Sequence, residues 1–369
     1  MKLKLNTGEF SNLISIVLPA ISNRSTLPSL SHFLIDASKD SVKLCATDLE
    51  IGIESSLKTK IEKSGSATIP ARNLADIVRV IDSEEFTFNK IKEGTFELSS
   101  FDGNTKFNII GGDSEDYPGF PEIKEDKSIV MDIAKFKEGI EKTIFSVSKD
   151  ESRYILCGIY FEVNGKELKM ISTDGRRLSY FNSPIKEGSS KFTAIIPTKA
   201  INVLDKTLTD EYKDVKISLS SSENQIYFSF GNTVLFSRLI EGDYPNYSQV
   251  IPKDTSKNVK IQTNEILNAT RKMLAATTER TTPVKFIFKD NKAVISLHAS
   301  DGSGTSTIPI EYSGEEIEMA FNPEFIINTL KVIKSDKIKF GLTTPINPGK
   351  ISPESKDESY IGVIMPMRP

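Results

Sequence analysis

The sequence is short of the residues that carry most enzyme chemistry. It has two histidines, His32 and His298, and two cysteines, Cys45 and Cys157. One histidine near each end of the chain excludes a histidine cluster within one copy of it, and with that a paired-histidine zinc site. The cysteines lie far apart with no Cys-x-x-Cys spacing, which fits two small core residues in a reducing compartment. There is no Gly-x-x-x-x-Gly-Lys-Ser/Thr phosphate loop and no Gly-x-Ser-x-Gly elbow. No metal, cofactor or catalytic residue is therefore expected. No stretch approaches the ~18 uninterrupted apolar residues of a membrane span. The opening "MKLKLNTGEFSNLISIV" lacks the residue order of a signal peptide, so a cytoplasmic protein without a membrane partner is expected. Net positive charge is lacking as well. The formal net charge is −3, so a nucleic-acid partner would need the cations gathered on one face.

What the chain does have is repetition. "CATDLEIGI", "ISTDGRRLSY" and "LHASDGSGTS" place Asp48, Asp174 and Asp301 in like surroundings, at steps of 126 and 127 residues. "TIPARNLADIVRVI", "IIPTKAINVLDKTL" and "AFNPEFIINTLKVI" place Pro70, Pro197 and Pro323 at steps of 127 and 126. Pro118 and Pro245, in "GGDSEDYPGFPEI" and "IEGDYPNYSQVIP", are again 127 apart. A period this long is a whole domain rather than a solenoid unit. The chain divides near 1–124, 125–253 and 254–369.

Each copy reads in the same order. An alternating strand leads to a helix with apolar spacing, such as Phe10, Leu13, Ile14 and Val17 or Phe136, Ile140 and Ile144. Alternating strands follow, as in "GIYFEVNGKELKMIST", where "NGK" supplies a hairpin turn. The proline marker opens a second helix, since proline is tolerated in a first turn. Further strands such as "QIYFSFGNTVLFSRLI" close the copy. The class is α+β: three homologous domains, each with two helices against antiparallel sheet.

The three repeated aspartates could be general acids or bases. Each sits at an equivalent place just past a strand, where an Asp holding its own turn is the simpler reading. The six helical segments together carry a formal +2, leaving −5 for everything else. Arg72, Arg79, Lys135, Lys142, Lys199, Lys206, Arg271, Lys272, Lys331 and Lys334 are among the cations. Facing one way, they would make a mildly basic surface on an acidic body. On charge alone, ordinary solvated helix faces give the same count.

Taken together and in order, "CATDLEIGIES", "TIPARNLADIVRVI", "FSVSKDESRYILCGIYFE", "STDGRRLSYF", "RLIEGDYPNYSQVIP" and the ending "VIMPMRP" resemble the bacterial sliding clamp, the beta subunit of DNA polymerase III. That resemblance implies a head-to-tail homodimer in which six like domains close a ring around double-stranded DNA, held without sequence preference. It implies a separate clamp loader, and a groove between the second and third domains for short linear peptides of the replicative polymerase and repair proteins. It places DNA-facing loops on Arg24 and on Lys149, Arg153 and Tyr154. To these we add the helix cations Arg72, Arg79, Lys199, Lys206 and Arg271 as candidates for phosphate contact.

The groove positions implied are Leu156, Thr173, Gly175, Arg176, Arg177, Leu178, Pro245, Val250, Asn322, Ile346, Val363, Ile364, Met365, Pro366, Met367 and Arg368. Leu and Val would form walls, and Met would adapt to varied apolar side chains. Arg177 and Arg368 would stand on the rim as charges for the peptide. Arg176 replaces a common His and Gln249 a common Arg, which leaves the peptide preference open. Pro369 replaces an apolar last residue. For ring closure, the strand "TKFNIIGG" with Phe107 and Ile109 is the candidate on one side, and the surface near Leu274 and "AATTERT" on the other. Two rival readings remain: a repeat-built adaptor that binds peptides but no DNA, and an enzyme using the repeated aspartates.

Overall fold

The first residues show how each copy is built. "KLKLN" alternates, and Leu3 and Leu5 are buried while the lysines face out. Asn6 ends the strand and caps the next helix, its side-chain oxygen accepting from the Glu9 N–H at 3.0 Å. Such a cap satisfies one of the free donors of the first turn. Phe10, Leu13, Ile14 and Val17 then bury one helical face. Phe10 is wholly buried, edge-on to Phe86 at 5.7 Å, and a side chain of that size contributes about 2–3 kcal/mol by leaving water.

A computed structural model describes residues 1–22, 27–120, 127–209, 211–222, 224–355 and 359–367. In the first copy the order is β1 (Lys2–Asn6), α1 (Thr7–Val17), β2 (His32–Ser38), β3 (Ser41–Thr47), β4 (Ile51–Lys58), a short β5 (Ile61–Lys63), β6 (Gly65–Pro70), α2 (Ala71–Val80), β7 (Glu85–Lys92), β8 (Thr95–Ser100) and β9 (Lys106–Ile110). The second copy has β10 (Lys127–Asp132), α3 (Ile133–Thr143), β11 (Gly158–Asn164), β12 (Glu167–Thr173), β13 (Arg177–Pro184), β14 (Lys191–Pro197), α4 (Thr198–Thr207), β15 (Asp214–Ser220), β16 (Gln225–Phe230) and β17 (Thr233–Arg238). The third has β18 (Lys257–Gln262), α5 (Thr263–Leu274), β19 (Val284–Lys289), β20 (Lys292–His298), β21 (Ser303–Pro309), β22 (Ile317–Phe321), α6 (Pro323–Lys331), β23 (Lys337–Leu342), β24 (Gly349–Pro353) and β25 (Tyr360–Ile364).

Apart from β5, the order strand, helix, four strands, helix, three strands recurs three times. The proline marker is used in two ways. Pro323 stands inside the first turn of α6, as expected, whereas Pro70 and Pro197 end the strand before the helix. An extended proline just ahead of a helix lacks only an N–H that the helix does not use.

The chain forms two compact units, and the second copy contributes to both. The first unit comprises Met1–Ala134, Lys186–Gly188 and Lys199–Leu239. It holds a five-stranded sheet in the order β5-β1-β7-β8-β9 and an eight-stranded sheet in the order β10-β15-β16-β17-β4-β3-β2-β6. The second unit comprises Lys135–Ile185, Ser189–Thr198 and Ile240–Pro369. It holds an eight-stranded sheet β14-β11-β12-β13-β25-β24-β23-β18 and a four-stranded sheet β21-β20-β19-β22.

Each eight-stranded sheet is two four-stranded halves from successive copies, joined by one antiparallel pair. In the first unit β17 joins β4, and in the second β25 joins β13. The two joints are therefore the same joint, made twice. At the first, Gly52 faces Phe236, and a Cβ on Gly52 would lie 2.1 Å from that ring. Ser55 and Thr233 share a buried hydroxyl hydrogen bond of 2.7 Å across the same pair.

Within the closing "YIGVIMPMRP", Tyr360–Ile364 form a strand buried on both faces. Tyr360 and Ile364 enter the large core of the second unit, with α5 and α6. Ile361 and Val363 enter a smaller cluster with Ile171 and Leu178, packed against Tyr160, Tyr180, Tyr244, Tyr247 and Ile251.

Candidate nucleic-acid interface and peptide groove

Two of the repeated aspartates hold their own turns, each with a second use, and the third holds a different segment. The N–H groups of Glu50 and Ile51 donate to Asp48 Oδ1 at 3.0 and 2.9 Å. Those of Arg176 and Arg177 donate to Asp174 Oδ1 at 2.9 and 3.0 Å, and Arg177 Nε donates to Oδ2 at 3.0 Å. Asp301 differs. It accepts from the Thr278 N–H at 2.8 Å and from the hydroxyls of Thr277 and Thr278 at 2.7 Å each, tying down the segment after α5. Those donors, the Thr278 N–H first and then the two hydroxyls, hold its carboxyl at about 2.

In the first unit, amphipathic helices bring cations together. α2 buries Ala71, Leu74, Ala75 and Val78 and leaves Arg72 and Arg79 exposed. α4 buries Ala200, Ile201, Val203 and Leu204 and turns Lys199 and Lys206 outward. An open depression of about 780 Å³, bounded by Ser15, Leu18 and Asn202, is lined by Arg72, Lys199 and Lys206. Three of the expected phosphate contacts thus share one concave surface. Arg79 pairs with Asp76 at 3.0 Å, and Lys199 pairs with Asp48.

In the second unit Lys149, Arg153, Tyr154 and Arg271 are all exposed. Arg153 is hooked onto its neighbours, donating from Nε to Asp150 at 3.0 Å and from a terminal nitrogen to the Asp174 carbonyl at 2.8 Å. Gly175 lies under that hook with φ +82°, where a Cβ would stand 3.2 Å from the guanidinium. Arg24 lies outside the described residues. Lys142, counted from sequence among the outward cations, is buried. It pairs with Glu138 at 2.6 Å and lies over the rings of Phe181 and Tyr360. Its long apolar stem makes that placement possible.

Several of the expected groove residues meet in the second unit. Leu178 and Val363 are register partners on adjacent strands, and Met365 continues the Val363 face at 39% exposure. The Met365 N–H donates to the Arg176 carbonyl at 2.9 Å, and the Met367 N–H to Ala320 at 2.8 Å, which fixes the tail beyond β25. Thr173 donates to the Arg177 carbonyl at 2.6 Å and closes the turn at the rim. Leu156, Pro366 and Met367 are half-buried, while Gly175, Arg176, Pro245, Val250 and Ile346 are exposed. Arg368 and Pro369 lie outside the described residues.

Several expectations need correction. Ile364 points to the opposite face from Val363 because side chains alternate along a strand, and it is wholly buried with α5 and α6. Arg177 is no rim charge. Its side chain is 10% exposed, paired with Asp174, and stacked over Phe325 at 4.5 Å and Phe145 at 5.4 Å. Asn322 spends its side-chain oxygen capping α6. Sequence reasoning missed Phe145, Phe325 and the four tyrosines. "DYPNY" carried a visible aromatic signal, but its partner strand is remote in sequence. At the chain ends, Ile109 faces inward and is buried, whereas Ile110 is 77% exposed. Phe107 is half-buried, and Leu274 packs inside the core of the third copy, so neither Ile109 nor Leu274 offers surface.

The fold defined by these sheets and helices is that of solved DNA polymerase sliding clamps. The Bacillus subtilis sliding clamp structure superposes with a TM-score of 0.95 at 29% identity, covering 100% of this chain and 99% of that one. The beta sliding clamp of Bacillus subtilis strain 168 is 29% identical over 381 residues, and that of Chlamydia muridarum 28% over 371, each covering the whole of this chain and nearly all or all of the relative. Models of the N-terminal, central and C-terminal domains of the DNA polymerase III beta subunit match residues 1–121, 130–246 and 248–368. The chain belongs to the DNA polymerase III beta subunit family.

Proposed function

We infer that the chain is a DNA sliding clamp, which encircles duplex DNA and keeps a polymerase on its template. The observation that carries this reading is the repeated sheet joint. In each later copy the last strand completes the sheet of the copy before it, β17 on β4 and β25 on β13. By the same rule β9 has no preceding copy to join and β21 no following one, and each is the edge of its sheet. An open edge is a template for another chain. Two chains set head to tail would pair β9 of each with β21 of the other, so that all six copies are linked by the same joint. On this reading the second contact surface would run along the edge of β21.

Within such a ring, Arg72, Lys199 and Lys206 would meet phosphates, with Lys149, Arg153 and Arg271 on the second unit. Phosphate contacts carry no sequence information, as sliding requires. The exposed Met365, with the exposed Pro245, Val250 and Ile346 and the buried Leu178 and Val363 beneath Met365's strand face, would take apolar side chains of short peptides from polymerase, loader and repair proteins. The protein would work in the cytoplasm, and a separate loader would open the ring.

The test is retention on nicked circular DNA against the same DNA linearised, after loading and at raised salt. Loss on linearisation alone is expected, because topology would then be the restraint. Equal, salt-sensitive loss from both forms, with loading verified by a control clamp, would leave a peptide-binding adaptor as the better reading.

A further inference from the structure

We propose that Asp48 weakens the grip of the cationic depression on DNA by competing with phosphate for Lys199. This rests on the sliding-clamp reading and assigns the residue that tunes its DNA contact. The three marker aspartates make the comparison internal to the chain. Asp174 spends its second oxygen on Arg177 in its own turn. Asp301 spends both oxygens on Thr277 and Thr278. Among the described residues, Asp48 alone of the three turns its free oxygen onto a lysine that lines the depression.

The geometry makes the carboxylate a permanent competitor. The Asp48 side chain is only 8% exposed, and its Oδ1 is fixed by two backbone N–H groups. It loses no freedom in holding a cation. Lys199 is the mobile partner, 60% exposed on the first turn of α4. A pair with one end in solvent is weak enough for phosphate to displace. A phosphate that captures Lys199 nevertheless leaves Asp48 without its cation, and so yields little net attraction. A surface built this way stays charged toward DNA without adhering to any one phosphate.

Asp48→Asn tests the proposal, since an amide oxygen still accepts both turn hydrogen bonds while the charge is lost. Asp48→Ser is the second variant, because a hydroxyl supports the same kind of turn. Affinity for a short fluorescein-labelled linear duplex is read by anisotropy at salt from about 50 to about 200 mM. Each variant should bind more tightly than wild type, with the slope of log K on log salt steeper by about 0.9, one further phosphate. Lys199→Gln should bind more weakly than wild type, because it leaves Asp48 without its cation beside the phosphates, and Asp48→Asn/Lys199→Gln should lack the gain seen in Asp48→Asn. An unchanged slope in both Asp48 variants, or a gain that persists without Lys199, would overturn the proposal. Retention of wild type on circular against linear DNA separately reports on the clamp itself.

Discussion

A single residue type placed at one point of a repeat has acquired three roles here. Asp48, Asp174 and Asp301 stand at equivalent positions, yet their second contacts go to a helix cation, a local arginine and a threonine pair. The third role has a pH signature. The carboxyl of Asp301 is held at about 2 by the Thr278 N–H and the two hydroxyls, against about 3.9 for a free aspartate. A folded value below the unfolded one gives stability that is complete above about pH 4 and withdrawn as pH falls toward 2. Wild type should therefore lose its melting-temperature advantage over Asp301→Asn across that interval. Parallel acid curves for the two proteins would show that the threonine bonds contribute nothing.

At the scale of the element, the joint between copies is the sensitive place. Gly52 leaves room for the ring of Phe236 across the β4–β17 pair. Gly52→Val should push that ring off its site and cost roughly 1–3 kcal/mol of stability, read as a lower urea midpoint. An unchanged midpoint would mean that the joint yields freely. This joint also marks the limit of sequence reading. Helix faces, the "NGK" hairpin and the repeat markers were legible because their signals are local or periodic. The pairing of Ser55 with Thr233 spans 178 residues, and no local pattern encodes it. The tail strand was legible in composition but less so in direction. Val363 and Ile364 are equally apolar neighbours, and only the sheet decides which cluster each one enters. Arg177 looked like a rim charge because Phe145 and Phe325, which enclose it, lie far away in sequence.

For the whole molecule, the repeated joint fixes a register that experiment can check. Ser237 faces Ile51 in β17 and β4. Phe107 faces Leu98 as Leu235 faces Phe228, so Ile109 holds the place of Ser237. Gly304 and Ile51 each follow a marker aspartate by three residues. The same register would set Ile109 opposite the partner subunit's Gly304, and Asn108 opposite the partner subunit's Thr305. Asn108→Cys/Thr305→Cys should therefore oxidise to covalent dimers joined at both ends, while Asn108→Cys/Thr307→Cys should cross-link poorly. The reverse ranking would shift the register. The joint has one more consequence. Copies one and two share a continuous hydrogen-bonded sheet through β4 and β17, so the peptide segment that threads from one to the next is not their main fastening. A protease nick in that segment would sever the covalent chain and leave the pieces bound, a break visible on a denaturing gel and silent in the native protein.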